Sequence, residues 1–267
     1  FITQHCEDPW FVYLAFHAPH TQQVDFGGYR DRFPDAGEKR AKVLSVMAQQ
    51  DDAVGMVLAK LCELKLEEDT LIFYISDNGG TQRSEGERKH FTGSLNTPFR
   101  GDKGTAFEGG IRVPFLVQWK GRLPAEKTYD HAVSSLDVLP TVLAGVQIAP
   151  LPGVDLEGVN ILPFLDGQNP ADPHEALFWR WGPEQAIRSG NWKLVRGREI
   201  RQWRLIDLSS DLKEEKDLSS QYPEKAKELL SRFEQWAAAL PPVGPSFKDT
   251  EEGGDDSDDN QGKKKKK

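Results

Sequence analysis

Two apolar runs with a long helical repeat between them constrain this chain most. Phe11–Phe16 (Phe-Val-Tyr-Leu-Ala-Phe) and Thr70–Ser76 (Thr-Leu-Ile-Phe-Tyr-Ile-Ser) are each short, continuous and bounded by polar or Pro residues. Such runs suit strands buried on both faces. Between them, Val43, Met47, Val54, Val57, Leu58, Leu61 and Leu64 recur at helical spacing over Lys39–Lys65. Strand, helix, strand in that order predicts a parallel α/β sheet with helices on its faces. A third strand is expected over Arg112–Trp119, and a helix over Ser134–Gly145.

Past about Gly167 the texture changes. Short runs rich in aromatic and β-branched residues, Ala176–Trp179, Gln185–Arg188, Trp192–Val195 and Arg204–Leu208, alternate with turn signals such as Ser189-Gly190-Asn191. This pattern predicts a small antiparallel meander. Pro223–Leu240 then reads as an amphipathic helix with Ala226, Leu229, Leu230, Phe233, Trp236, Ala237 and Leu240 on one face. The expected division is therefore 1–170 as an α/β unit, 171–242 as a sheet-and-helix unit, and 243–267 as a disordered acidic and lysine-rich tail.

Composition narrows the functional class. A length of 267 residues with 37% hydrophobic content allows a sizeable core. A net charge of -8 without a basic stripe argues against nucleic acid. No run of ~18 apolar residues exists to span a membrane. Cys6 and Cys62 make neither a disulfide framework nor zinc-ligand spacing. The chain opens at Phe1, without a basic n-region or apolar h-region. An incomplete amino-terminal part is the expectation, with a processed terminus as the alternative.

Three places carry chemistry. Asp77 and Asn78, at the end of a strand, offer a carboxylate and an amide oxygen, hard donors suited to Ca²⁺ or Mg²⁺. Gly79 and Gly80 permit a sharp turn beside an ion. Asp-Asn-Gly is also ordinary turn chemistry. His20, just after Pro19, suits proton donation or anion binding, and His17 competes with it. Lys103 sits in the Gly-flanked segment Arg100–Pro114, where a point charge suits a tetrahedral anion, although a solvated basic loop is the simpler reading. The order of Gly and Lys there does not make a Walker loop. The polar loop Thr81–Gly104 exceeds ~15 residues, a length more often functional than idle.

Taken in order, Phe11–His20, Ser76-Asp-Asn-Gly-Gly80 and Lys103-Gly-Thr-Ala-Phe-Glu-Gly-Gly-Ile-Arg-Val-Pro114 resemble three landmarks of the type I sulfatases. Leu136–Thr141, Ala186–Lys193 and the Leu205–Asp217 stretch are similar too. The resemblance covers roughly residues 9–240 and is nearest to bacterial arylsulfatase-type members. It implies an alkaline-phosphatase-like α/β/α sandwich, in its carboxy-terminal portion, with a small antiparallel sheet plus helix. It also implies hydrolysis of sulfate esters, of sulfated polysaccharides or aryl sulfates. By motif, Asp77 and Asn78 would be two Ca²⁺ ligands, Lys103 would bind the sulfate oxygens, and His20 would help protonate the leaving group. Relatives are usually exported, which implies a periplasmic or secreted location.

The departures are equally specific. The family's nucleophile, a formylglycine made within Cys/Ser-x-Pro/Ala-x-Arg, has no counterpart at Cys6, Cys62 or any Ser. The family's amino-terminal Asp pair and Gly-Lys-Trp-His segment are absent as well. Gln22 stands where relatives commonly place Pro. The isolated 267-residue chain is therefore expected to be inactive and poorly soluble. Two other readings remain open: a phosphate or phosphonate ester hydrolase of the same superfamily, and a non-catalytic sulfated-sugar-binding pseudoenzyme.

Overall fold

The computed structural model of the protein describes residues 1–20, 27–81 and 93–241. The expected tail at 243–267 and residues 82–92 of the Thr81–Gly104 loop lie outside the described residues. Helix α1 spans Glu38–Glu63 and matches the helical repeat. It leads through a 3₁₀ turn to strand β1, Ile72–Ile75. A short helix α2, Glu108–Ile111, precedes strand β2, Phe115–Gln118. Helix α3, Val138–Gly145, follows a 3₁₀ turn that Ser134 and Asp137 close as a capping box, each side chain taking the other's backbone N–H. Helix α4 is a single turn, Leu162–Leu165.

The expected parallel sheet is not formed among the described residues. β1 pairs with β2 in antiparallel register, Ile72 opposite Gln118 and Ile75 opposite Phe115. The chain between them folds back through α2, and this return directs β2 against β1. Phe11–Phe16, the expected first strand, is irregular and exposed, with Phe11 72% and Tyr13 82% accessible. An apolar run becomes a strand only where it lies along a neighbouring edge that takes up its N–H and C=O groups, and among the described residues Phe11–Phe16 pairs with neither β1 nor β2. The apolar stripe of α1 is split accordingly. Val43 and Leu61 are buried, whereas Met47 and Leu58 face solvent.

The meander forms as the turn chemistry predicts. Strands β3 (Leu177–Trp181), β4 (Glu184–Ser189), β5 (Trp192–Arg196) and β6 (Arg204–Asp207) make one antiparallel sheet in sequence order. Period-two alternation gives it two apolar faces. Ile187, Leu194 and Leu205 pack on helix α5, Pro223–Ala238, through Leu229 and Phe233. Ala186, Val195 and Ile206 pack on Ala106 and Phe107. Phe178 stacks on Trp236 at 4.9 Å, and Trp203 meets Phe233 edge-on at 5.1 Å. The sheet therefore supports both the terminal helix and the segment that carries Lys103. No helix among the described residues is long and apolar enough to cross a membrane.

Candidate functional site

The Asp77–Gly80 turn lies at the carboxyl end of β1. Its start is pinned to the approach to β2, where Ser76 N donates to Pro114 O at 3.2 Å. The Ser76 hydroxyl donates to Asn78 O at 3.0 Å. Asn78 N donates to Asp77 Oδ1 at 2.9 Å, and Asn78 Nδ2 donates to Gly79 O at 3.1 Å. The second bond commits the amide nitrogen to the backbone and leaves the amide oxygen as the side-chain atom chemically suited to a cation. The Asp77 carboxylate is exposed.

The Lys103 loop is sewn to this turn. Gly79 N donates to Gly110 O at 3.0 Å, and Lys103 N donates to Gly80 O at 3.4 Å. Asn96 bridges the two pieces: its Oδ1 accepts Gly80 N–H at 3.1 Å, while its Nδ2 donates to Gly80 O at 2.7 Å and to Gly101 O at 3.1 Å. The approach is close enough to require glycine. A Cβ on Gly79 would lie 1.8 Å from Gly109 O, and one on Gly109 would lie 2.3 Å from Gly101 O. The carboxylate–amide pair and the Lys103 ammonium thus stand on two loops joined backbone to backbone, and Lys103 is exposed.

His20 takes no part in those bonds. It ends the Phe11–His20 segment, where its N–H donates to His17 O at 2.9 Å and the two rings meet edge-on at 5.4 Å. Both histidines are exposed.

Beneath the Lys103 loop lies a buried charge cluster. Glu108, Lys193 and Glu214 are each at most 1% exposed. Lys193 Nζ lies 2.8 Å from Glu108 Oε1 and 2.8 Å from Glu214 Oε1. Glu108 N donates to Glu214 Oε2 at 2.7 Å. Arg112 and Arg188 each approach Glu108 Oε2 to 3.7 Å. Burial pushes the Glu108 carboxyl up, but Lys193, with Arg188 and Arg112, outweighs it and holds the group below its ordinary value. Burial also pushes Glu214 up, and there Lys193 offsets it only in part, so Glu214 stays above its ordinary value. Sequence reasoning missed Asn96, Glu108 and Glu214, and gave Lys193 no role. It assigned none to His174 either, whose Nε2 lies 2.9 Å from the buried Asp137 carboxylate.

A metal would find only part of a shell in these residues. Among the described residues no group of three or more His, Cys, Asp or Glu side chains is placed to hold an ion. Asp77 and Asn78 supply two hard oxygens, whereas Ca²⁺ takes about 6–8. The donor set fits a calcium ion in kind and leaves most of its ligands to come from elsewhere.

Two family models match the chain. One, Sulfatase, covers residues 1–148. The other, N-sulphoglucosamine sulphohydrolase, C-terminal, covers residues 100–238. The chain belongs to the sulfatase family. Among curated sulfatases it is similar to Arylsulfatase A of Bos taurus, 36% identical over 196 residues, a match covering 71% of this chain and 36% of that protein. It is also similar to steryl-sulfatase of Homo sapiens, 32% identical over 203 residues, with 70% and 33% covered. The chain thus spans about a third of the length of these relatives. The crystal structure of Ps i-CgsB in complex with k-i-k-neocarrahexaose superposes with a TM-score of 0.77 at 28% identity, covering 86% of this chain and 50% of that one. The fold is the expected one, the carboxy-terminal portion of an alkaline-phosphatase-like α/β/α sandwich with a small antiparallel sheet plus helix.

Proposed function

We propose that the full-length protein is a sulfuric ester hydrolase acting on sulfated glycans or aryl sulfates. The observation that carries this reading is the joining of the Asp77–Gly80 turn to the Lys103 loop through Asn96 and the Gly79–Gly110 bond. It joins, backbone to backbone, the turn that offers hard oxygen donors and the loop that offers a cation, and a sulfate group bound to a metal needs both. Membership of the sulfatase family supports the same chemistry. The Ps i-CgsB complex with k-i-k-neocarrahexaose, and the similarity to arylsulfatase A and steryl-sulfatase, support a sulfated substrate.

In this reading Asp77 and Asn78 hold one side of a Ca²⁺ ion. When bound, the ion draws negative charge from the sulfate. Lys103 binds the non-bridging sulfate oxygens and neutralises the charge that grows on them in the transition state. His20 delivers a proton to the departing ester oxygen, which otherwise leaves as a poor alkoxide. The attacking group and the other calcium ligands come from a segment bearing Cys/Ser-x-Pro/Ala-x-Arg, outside these 267 residues. Residues 1–170 then form part of the catalytic unit and residues 171–242 its small supporting unit. The exposed faces of Phe11–Phe16 and α1 are where that segment would pack, so the 267-residue chain alone is inactive and poorly soluble. A periplasmic or secreted location completes the reading.

The test is turnover of an aryl sulfate against the matching aryl phosphate by the full-length protein, with and without a calcium chelator. Chelator-sensitive sulfate hydrolysis, much faster than phosphate hydrolysis, is expected. Faster phosphate turnover assigns the protein to the phosphate and phosphonate hydrolases of the superfamily. Sulfated-saccharide binding without turnover makes it a pseudoenzyme.

A further inference from the structure

We propose that the buried Glu108–Lys193–Glu214 cluster is a positioning device, by which the carboxy-terminal sheet sets where the Lys103 loop sits against the Asp77–Asn78 turn. The proposal rests on the sulfatase reading of those two loops and names residues that this reading does not use.

Four observations carry it. First, the cluster joins distant parts of the chain: Lys193 comes from β5, Glu214 from the loop after β6, and Glu108 opens α2 directly after the Lys103 loop. Second, the partners of the loop are specific rather than merely close. Glu214 accepts the Glu108 N–H through Oε2, and its backbone oxygen accepts Arg100 Nη1 at 3.2 Å. Glu214 therefore grips the Lys103 loop at both ends, at residue 100 and at residue 108. Third, Glu214 adopts φ 54°, a left-handed conformation that costs a non-glycine residue energy and persists only where the surroundings enforce it. Fourth, Glu184 adds a parallel grip from β4, accepting Ala106 N–H through Oε2 at 3.4 Å and Arg198 N–H through Oε1 at 2.9 Å.

The grip is passed on without slack. Glu108 begins the single turn of α2, and the next two residues, Gly109 and Gly110, are pressed against Gly79 and Gly101. A shift of Glu108 must move Gly110 O, the acceptor of the Gly79 N–H, and with it the spacing between the Asp77–Asn78 pair and Lys103. Burying three charges is a poor way to gain stability, because desolvation offsets most of the attraction. A buried charge network does fix one geometry, since each member must meet its partner.

The test uses the full-length protein and three variants. Lys193→Met removes the shared cation. Glu214→Gly removes the carboxylate while keeping a residue that adopts φ 54° freely, so the turn survives if Lys193→Met does not fold. Leu229→Ala destabilises the same sheet from its opposite face, on α5, without touching the cluster. Hydrogen exchange is read over residues 101–111 and over α5, and kcat and KM are read with an aryl sulfate. Lys193→Met and Glu214→Gly are expected to speed exchange selectively over 101–111. They should lower kcat by about 100-fold, the cost of misplacing reacting groups by about 1 Å, with a smaller change in KM. Leu229→Ala should speed exchange over α5 and leave residues 101–111 and kcat as in the wild type. Exchange over 101–111 unchanged in Glu214→Gly, or raised equally by Leu229→Ala, overturns the proposal. If the wild type hydrolyses no sulfate ester, the sulfatase reading fails, and the exchange comparison still decides the positioning role.

Discussion

Gly79→Ala probes the junction between the two loops with a single methyl group. The added Cβ would stand 1.8 Å from Gly109 O, 2.8 Å from Gly109 C and 3.1 Å from Gly110 Cα. Ordinary contact begins near 3.4 Å, so the turn must retreat by about 1.6 Å from backbone atoms that have no side-chain freedom to yield. The retreat breaks the Gly79 N–H bond to Gly110 O, worth about 1 kcal/mol, and strain of the overpacking kind adds about 1–3 kcal/mol. A total near 2–4 kcal/mol should appear as a lower midpoint of thermal unfolding. Catalysis should suffer as well, since displacing the Asp77–Asn78 pair from Lys103 by more than about 1 Å costs on the order of 100-fold. Gly55→Ala is the control. Its Cβ meets nothing within 4 Å, and in mid-α1 alanine should stabilise by about 0.5–1 kcal/mol. Thermal unfolding and kcat/KM on an aryl sulfate measure both effects in the full-length protein. Wild-type Tm and kcat/KM in Gly79→Ala would refute the claim that these loops are locked by close backbone approach.

Other expectations follow from the same structure. Lys103→Ala should lower kcat/KM by about 100- to 1000-fold, as loss of a charge-stabilising donor does, while its exposure keeps the stability change within about 0.5 kcal/mol; equal turnover would remove Lys103 from the site. Leu229→Ala, which empties a fully buried position between α5 and the sheet, should cost about 2–5 kcal/mol by denaturant unfolding. Asp217 is pushed up by burial, but bonds from Ser219 Oγ, Ser219 N–H and Leu205 N–H more than offset this and hold it below its ordinary value. A depressed carboxyl contributes stability that is present above its unfolded pKa near 3.8 and is lost as pH falls through the folded value. Asp217→Asn should therefore reduce stability at neutral pH and flatten the acid limb below about pH 4; an acid limb as steep as the wild type's would contradict this.

The carboxy-terminal sheet and α5 were legible because their signals are local. Ser189-Gly190-Asn191 fixes one hairpin, and the stripe containing Leu229 and Phe233 fixes the buried face of α5. The Asp77–Gly80 turn and the Lys103 loop were legible as separate motifs for the same reason. Their junction was not. Asn96 carries no pattern, and the need for Gly79, Gly109 and Gly110 emerges only when the two loops meet in space. Phe11–Phe16 misled because an apolar run states a preference for burial and says nothing about which edge will pair with it. Lys193 and Glu108 lie 85 positions apart, and Glu108 and Glu214 lie 106 apart. Each alone reads as a solvated surface charge.

The central claim is that the Asp77–Asn78 turn and the Lys103 loop form the metal and anion sides of one sulfate-ester site. Turnover of an aryl sulfate by the full-length protein as calcium is titrated in, for the wild type and for Asp77→Ala, tests it most directly. Calcium-dependent sulfate hydrolysis in the wild type, and in Asp77→Ala a calcium requirement shifted to much higher concentration with a lower maximum, is the predicted result. The same calcium dependence in both proteins, or no sulfate hydrolysis at any calcium concentration, would contradict it.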